Sequence, residues 1–462
     1  MKRMVVVVLL LAVLGGLGGL ALPLSNLLVG LPKNNSLLAA KSGDPVSDRA
    51  LDILGKKCVN CHTAEYVLPF YARFPVAKQI IEMDIRLGTE YLNLQEELRT
   101  PGQPASEVAL AKNEYVIQEG TMPPMRYLAL HWNGALTAEE KRDLQAWIVE
   151  TRKKHYATPG VPAELAGQVL QPLPKNHQED PAKVALGDKL FHDKRLSKDN
   201  TIACASCHGL DKGGTDQKQF SEGVGGQMGD INAPTVLNAG FQFVQFWDGR
   251  AATLEEQADG PVNNPIEMAS NWPEAIAKLQ QDQEFTQAFN AVYSAGYGKE
   301  TITEAIAVFE RTLITPNSRF DAYLAGEKSA LSAEEQEGHA LFLKHSCATC
   351  HVGKLLGGQS FEKLGRKGDY FAARGTPAAK PDFGRFNVTG KETDRFKLKV
   401  PTLRNIALTF PYLHDGTAKT LVEAVDVMAK FMVGKTLPAS ETAAIVKFLE
   451  TLTGEYGGKP LK

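Results

Sequence analysis

Cys204-Ala-Ser-Cys207-His208 is one of three pentapeptides in this chain with the spacing C-x-x-C-H. The others are Cys58-Val-Asn-Cys61-His62 and Cys347-Ala-Thr-Cys350-His351. Together they use all 6 cysteines of the 462 residues, so none remains for a separate disulfide framework. A zinc ribbon would leave three identically placed histidines unexplained. The spacing is that of covalent haem attachment. Two thioethers and an axial imidazole must converge on one porphyrin, and a helical turn puts motif positions 1, 4 and 5 on one side. The reading predicts three haem c groups, attached through Cys58, Cys61, Cys204, Cys207, Cys347 and Cys350, with His62, His208 and His351 as iron ligands.

Length and charge narrow the rest. A chain of this size holds two to four domains, each able to bury a core. The net charge of −2, from 51 basic and 53 acidic residues, gives no footprint for nucleic acid. After Lys2 and Arg3, residues Val5 to Leu22 are without exception apolar or glycine. A run of that length spans a bilayer core if helical. An uncleaved anchor is preferred to a cleaved signal peptide ending near Gly19-Leu20-Ala21. Either way the positive-inside tendency exports the chain beyond residue 35, into a bacterial periplasm if the anchor sits in the inner membrane.

Around each motif the pattern is helical, and all-α is the expected fold class: three cytochrome c-like haem domains after an N-terminal transmembrane helix. Leu51, Ile53 and Leu54 lead into the first motif, Leu186, Leu190 and Phe191 into the second, and Leu341 and Phe342 into the third. A capping box, Thr137 with Glu140, opens a helix carrying Leu144, Trp147 and Ile148. A matching helix begins near Ser440, and Ser332 with Glu335 opens the one before the third motif. Prolines 159, 162, 172 and 174 mark a linker, and residues 370–400 read as an insertion loop. The expected units are an anchor at 1–34, a monohaem domain at 35–160, a second haem domain at 161–325 and a third at 326–462.

The group facing each iron separates carriers from a reaction centre. A histidine paired with a thioether makes a closed, high-potential carrier, whereas an open sixth position admits a small molecule. For the first haem Met122, in Gly-Thr-Met122-Pro-Pro, is the expected ligand, with Met125 as the alternative. For the third, Met428 and Met432 both precede the closing helix. Between His208 and Pro261 there is no further histidine, and the one methionine, Met228, sits in a Gly-rich loop. Instead come Gln245-Phe-Trp-Asp-Gly-Arg250 and Glu255, an amide and a carboxylate of the kind needed to orient a bound oxygen and move a proton. Glu255 and Glu256 would equally suit a solvated helix face.

The run Asn232-Ala-Pro-Thr…Gln245-Phe-Trp-Asp-Gly-Arg-Ala-Ala…Glu255 resembles the peroxidatic domain of bacterial dihaem cytochrome c peroxidases. Val400-Pro-Thr-Leu-Arg-Asn-Ile-Ala-Leu-Thr-Phe-Pro-Tyr-Leu-His414-Asp-Gly resembles their electron-transfer domain. With the added N-terminal domain and anchor, including Tyr127-Leu-Ala-Leu-His131-Trp132, the chain is similar to membrane-bound trihaem quinol peroxidases. The resemblance implies reduction of hydrogen peroxide at the haem of His208, with Glu255 as acid/base and Gln245 orienting the oxygen. It selects Met428 as the third haem's ligand. It also implies a calcium ion held partly by the carbonyls of Thr409 and Pro411, with Asn232 a candidate side-chain ligand; oxygen-only ligation suits calcium. Unlike many members, the loop from Gly209 to Ile231 holds no histidine to close the peroxidatic iron, which is therefore expected open and high-spin even when oxidised. The donor is expected to be membrane quinol, with a small cytochrome c as the alternative. A catalytically silent electron conduit and the related enzyme whose relay haem carries tyrosine are the remaining rivals. The other histidines, His131 among them, default to structural roles.

Overall fold

The computed structural model describes residues 20–28 and 36–462 apart from 67, and they form two compact units, 1–156 and 157–462. Most of the expected anchor at 1–34 lies outside the described residues. Among them, no helix is long and apolar enough to cross a membrane.

In the first unit, α1 (Pro45–Lys57) starts at Asp44, whose carboxylate accepts from the Ser47 N–H. It buries Leu51, Ile53 and Leu54 and runs into α2 (Val59–His62), which carries the motif. α3 (Pro75–Tyr91) packs on α2. α4 (Glu107–Glu119) and α5 (Ala138–His155) complete the bundle, and α5 packs on both α1 and α4. The expected capping box of α5 is present. Leu54, Leu110, Leu144 and Ile148 meet in one apolar core.

The second unit uses one crossing twice. α6 (Pro181–Phe191) precedes the motif turn α7 (Cys204–Cys207) and packs on α9 (Lys299–Thr312), while α8 (Leu254–Asn263) packs on the same α9. α10 (Ala333–Lys344) precedes the third motif and packs on α12 (Ala439–Glu450), beside α11 (Leu421–Met428). At the first crossing a Cβ on Gly187 would stand 2.0 Å from the Ala305 carbonyl oxygen. At the second, a Cβ on Gly338 would stand 1.9 Å from that of Ala444. Both glycines are needed because backbone meets backbone there.

Two expectations change. The described fold is mostly helical but includes two-stranded ribbons: β1 (Phe361–Lys363) pairs antiparallel with β2 (Lys397–Lys399), and β3 (Glu455–Tyr456) with β4 (Lys459–Pro460). The first closes the base of the 370–400 insertion, which itself forms short helical turns. The proline-rich segment read as a linker is fastened down. Gln171, 1 % exposed, donates to the Leu165 carbonyl at 2.7 Å. Its own carbonyl accepts from Arg404 at 2.9 Å, a fully buried guanidinium also paired with Asp321 at 2.8 Å.

Candidate functional site

Each motif closes a helical turn. His62, His208 and His351 donate their backbone N–H to the carbonyls of Cys58, Cys204 and Cys347 at 3.1, 3.0 and 3.0 Å. Each ring's Nδ1–H donates to a backbone carbonyl: Leu92 at 3.0 Å, Gly214 at 3.3 Å and Leu356 at 3.0 Å. That bond fixes the tautomer and leaves Nε2 as the free donor to a metal. Burial lowers the pKa of all three imidazoles, keeping them neutral as ligation requires. None of the six cysteines forms a disulfide. Imidazoles so oriented beside paired thiols fit covalently attached haem, and His208 and His351 each face a cavity.

The His351 cavity, about 240 Å³, is lined by Cys347 and Cys350 and by both Met428 and Met432. Met428 ends α11, and a π-helical turn, Ala429–Val433, carries Met432 round to the same wall. The structure brings both sulfurs to the haem site without separating them. Thr409, Pro411 and Asn232 line this cavity as well. Asn232 donates its side-chain amide to the Lys218 carbonyl at 2.9 Å, and its backbone N–H to that of His414 at 2.7 Å. A nearby buried cluster, Asp382, His414 and Asp415, is neutralised internally: Arg374 lies 2.8 Å from each carboxylate and His414 Nε2 2.7 Å from Asp382.

The His208 cavity is larger, about 580 Å³, and more polar. Gln245 lines it, with its Nε2 committed to the Ala239 carbonyl at 3.1 Å. Glu255 is not among the lining residues. It sits in the first turn of α8 with its carboxylate on Arg311. Burial raises its pKa, but its own N–H, Arg311 and Thr253 outweigh that and hold it below the usual carboxylate range. Val262, seven residues after Glu255 and so on nearly the same face of α8, lines the cavity with Leu254, Gln257 and Ala258, and the Glu255 carboxylate acts on that of Glu310, which lines it as well.

The polar groups on this wall that were not expected from the sequence include Gln257, Glu267 and Glu310, besides Glu222 and Asp230. Glu267 comes after the turn Asn264-Pro265, which brings the chain back over the cavity; its Oε1 accepts from Asn264 Nδ2 at 2.6 Å. Burial raises its pKa, against the Asn264 bond and Arg250. Burial pushes Glu310, on α9, up to about 8. The helical spacing of Leu254, Gln257 and Pro261 was the available signal for Gln257; an Asn-Pro turn ahead of a carboxylate flanked by Ile266 and Met268 was the signal for Glu267. Met268 touches the cavity but is 3 % exposed and belongs to the apolar core with Leu196 and Trp272. Trp247 lines both cavities and donates Nε1–H to the Asn232 carbonyl at 2.8 Å.

In the first unit, Met122 is 43 % exposed and Met125 80 %. The residues just after them reach the motif: Arg126, paired with Asp84 at 3.1 Å, borders Cys61. His131 is buried, stacked on Tyr127 at 3.9 Å, with Nε2 2.8 Å from the Tyr71 hydroxyl.

Residues 181–329 match the sequence model of the di-haem cytochrome c peroxidases, and residues 31–150 that of a haem-binding domain. A cytochrome c peroxidase of Escherichia coli (strain K12) is 48% identical over 415 residues, 89% of this chain and 88% of that one. A cytochrome c551 peroxidase of Nitrosomonas europaea is 45% identical over 65% of this chain and 88% of its own length. The crystal structure of a MauG-like protein associated with microbial copper homeostasis superposes with a TM-score of 0.55 at 31% identity, over 62% of this chain and 93% of that one.

Proposed function

This chain belongs to the di-haem cytochrome c peroxidase family and is a peroxidase; on that premise we propose that it reduces hydrogen peroxide to water in a bacterial periplasm, drawing electrons from membrane quinol. His208, with Cys204 and Cys207, would hold the haem at which peroxide is reduced, and His351 with Met428 and His62 with Met122 would hold the haems that relay electrons to it. Glu267, which lines the cavity, would take the proton from the near peroxide oxygen and return it to the leaving one, burial making its carboxylate the stronger base of the two; Glu255, paired with Arg311, is the alternative acid/base. Gln257 and Gln245 offer amides to orient the substrate. Calcium bound near Thr409, Pro411 and Asn232 would brace the wall shared by the two cavities.

The observation that carries this reading is the unequal lining of the two cavities. The one at His351 has two sulfurs in reach. The one at His208 has carboxyl and amide groups and a single methionine packed in the core. An oxidised holoprotein with one high-spin and two low-spin haems is the expected spectrum, and three low-spin haems would reject the open site. Peroxide turnover in isolated membranes, with quinol as the only reductant, tests the donor. Turnover with reduced cytochrome c but none with quinol would reassign it.

A further inference from the structure

α3 has three faces. At 3.6 residues per turn, Ile85 and Gly88 fall on the side against α2, where a Cβ on Gly88 would stand 2.4 Å from the Cys61 carbonyl oxygen. A second face carries Lys78, Glu82 and Arg86, with i,i+4 pairs Lys78–Glu82 and Arg86–Glu90 at 3.8 Å each. The third carries Val76, Ile80, Met83 and Leu87, within an arc of about 60° at this helical pitch. These four are 41% to 71% exposed. The row continues into the exposed rings of Phe70 and Phe74, on the turn leading into the helix. Scattered apolar residues are ordinary on a surface, but an aligned row extended by two phenylalanines marks an interaction face.

Its place in the chain indicates its cover. Residues 20–28 are helical and expose Leu20, Leu24, Leu27 and Leu28. Asn26 fastens that helix, donating to the Leu130 carbonyl at 2.9 Å and bonding the hydroxyl of Tyr71, the neighbour of Phe70. The 18-residue apolar run Val5–Leu22 therefore leads into the corner from which Phe70 and Phe74 project. A run of that length partitions into lipid, which holds this corner at the bilayer surface.

We propose that the α3 row with Phe70 and Phe74 lies in the headgroup–acyl boundary of the phospholipid bilayer, a second membrane contact made by the folded N-terminal unit itself. Lys78 and Arg86, on the adjoining face, lie where anionic headgroups can be met. The contact goes beyond the donor reading and holds for either reductant.

The test uses full-length holoprotein in phospholipid vesicles containing a phospholipid with a photoreactive acyl chain, followed by mass-spectrometric mapping of tagged residues. The expected result is tagging at 70, 74, 76, 80, 83 and 87, at least about tenfold above that at 78, 82 and 86, a ratio worth about 1.4 kcal/mol in partition. The triple variant Val76→Lys, Ile80→Lys, Met83→Lys should lose the α3 tag while keeping three haems, tagging within 5–22, and peroxide turnover with a soluble reductant. If the triple variant fails to load haem, Ile80→Glu is read the same way. Tag confined to 5–22, tag equal on all faces of α3, or cross-links joining α3 of two copies would each overturn the proposal.

Discussion

Glu267→Gln separates a proton-moving carboxylate from a merely polar wall. The amide keeps the oxygen that accepts from Asn264 at 2.6 Å and nearly the same volume, so the turn after Pro265 should persist. The titrating proton alone disappears. A positioned general acid/base contributes about 10²–10⁴-fold, so turnover should fall by that factor, about 3–5 kcal/mol on the barrier, with all three haems still attached. Glu255→Gln is the contrast. It breaks the pair with Arg311, whose partners are 30% and 29% exposed at their side chains, so the stability loss should stay under about 1 kcal/mol and turnover within about tenfold. The assay is stopped-flow mixing of reduced holoprotein with peroxide, following haem reoxidation before any donor limits the rate. A collapse in Glu255→Gln with near-normal rates in Glu267→Gln would refute the reasoning. So would a collapse confined to Glu310→Gln, since that side chain lines the same cavity.

Met428→Leu should convert the haem at His351 from low-spin to high-spin and lower its reduction potential, whereas Met432→Leu should leave both unchanged; a spectroelectrochemical titration of each variant decides. Gly338→Ala forces a Cβ within 1.9 Å of the Ala444 carbonyl oxygen, so α10 and α12 must separate; a loss of roughly 1–3 kcal/mol should appear in denaturant unfolding, as it should for Gly187→Ala. Glu310 is raised from 4.5 to about 8 by burial, so its unfolded form ionises first. Its stabilising contribution is complete below pH 4.5 and is lost as pH rises to about 8. Melting temperature should decline across that window in the parent and flatten in Glu310→Gln.

The haem-bearing parts of the fold were legible because each motif is local. Five residues fix a turn, apolar spacing fixes the helix before it, and capping residues such as Thr137 and Ser332 mark where helices begin. The features that escaped depended on contacts distant in sequence. β1 and β2 are joined across the insertion, so neither strand is long enough to show alternation by itself. The proline-rich segment looked like a linker because nothing near it in sequence reveals that Arg404, 233 residues after Gln171, is its partner.

Glu255 shows the same limit inside the site. Distance along the chain from Gln245 suggested a pair, and both residues belong to one local motif. A helix turns its side chains by about 100° per residue, and the N-cap at Thr253 sets the phase of α8 so that Leu254, Gln257, Ala258 and Val262 take the cavity side, with Glu255 at its edge, about 20° from Val262. Arg311, from a helix packed on α8, then claims Glu255. Glu267 reaches the cavity because the chain reverses after Pro261 and the loop around Gly223 packs on it. A Cβ on Gly223 would stand 2.2 Å from the Ile266 carbonyl oxygen and 2.6 Å from that of Glu267. The position of Glu267 is thus set by the fit between two loops, and a substitution at Gly223 should displace it: Gly223→Ala is expected to lower turnover with haem content unchanged, and parent-like rates would show that the loop does not position Glu267.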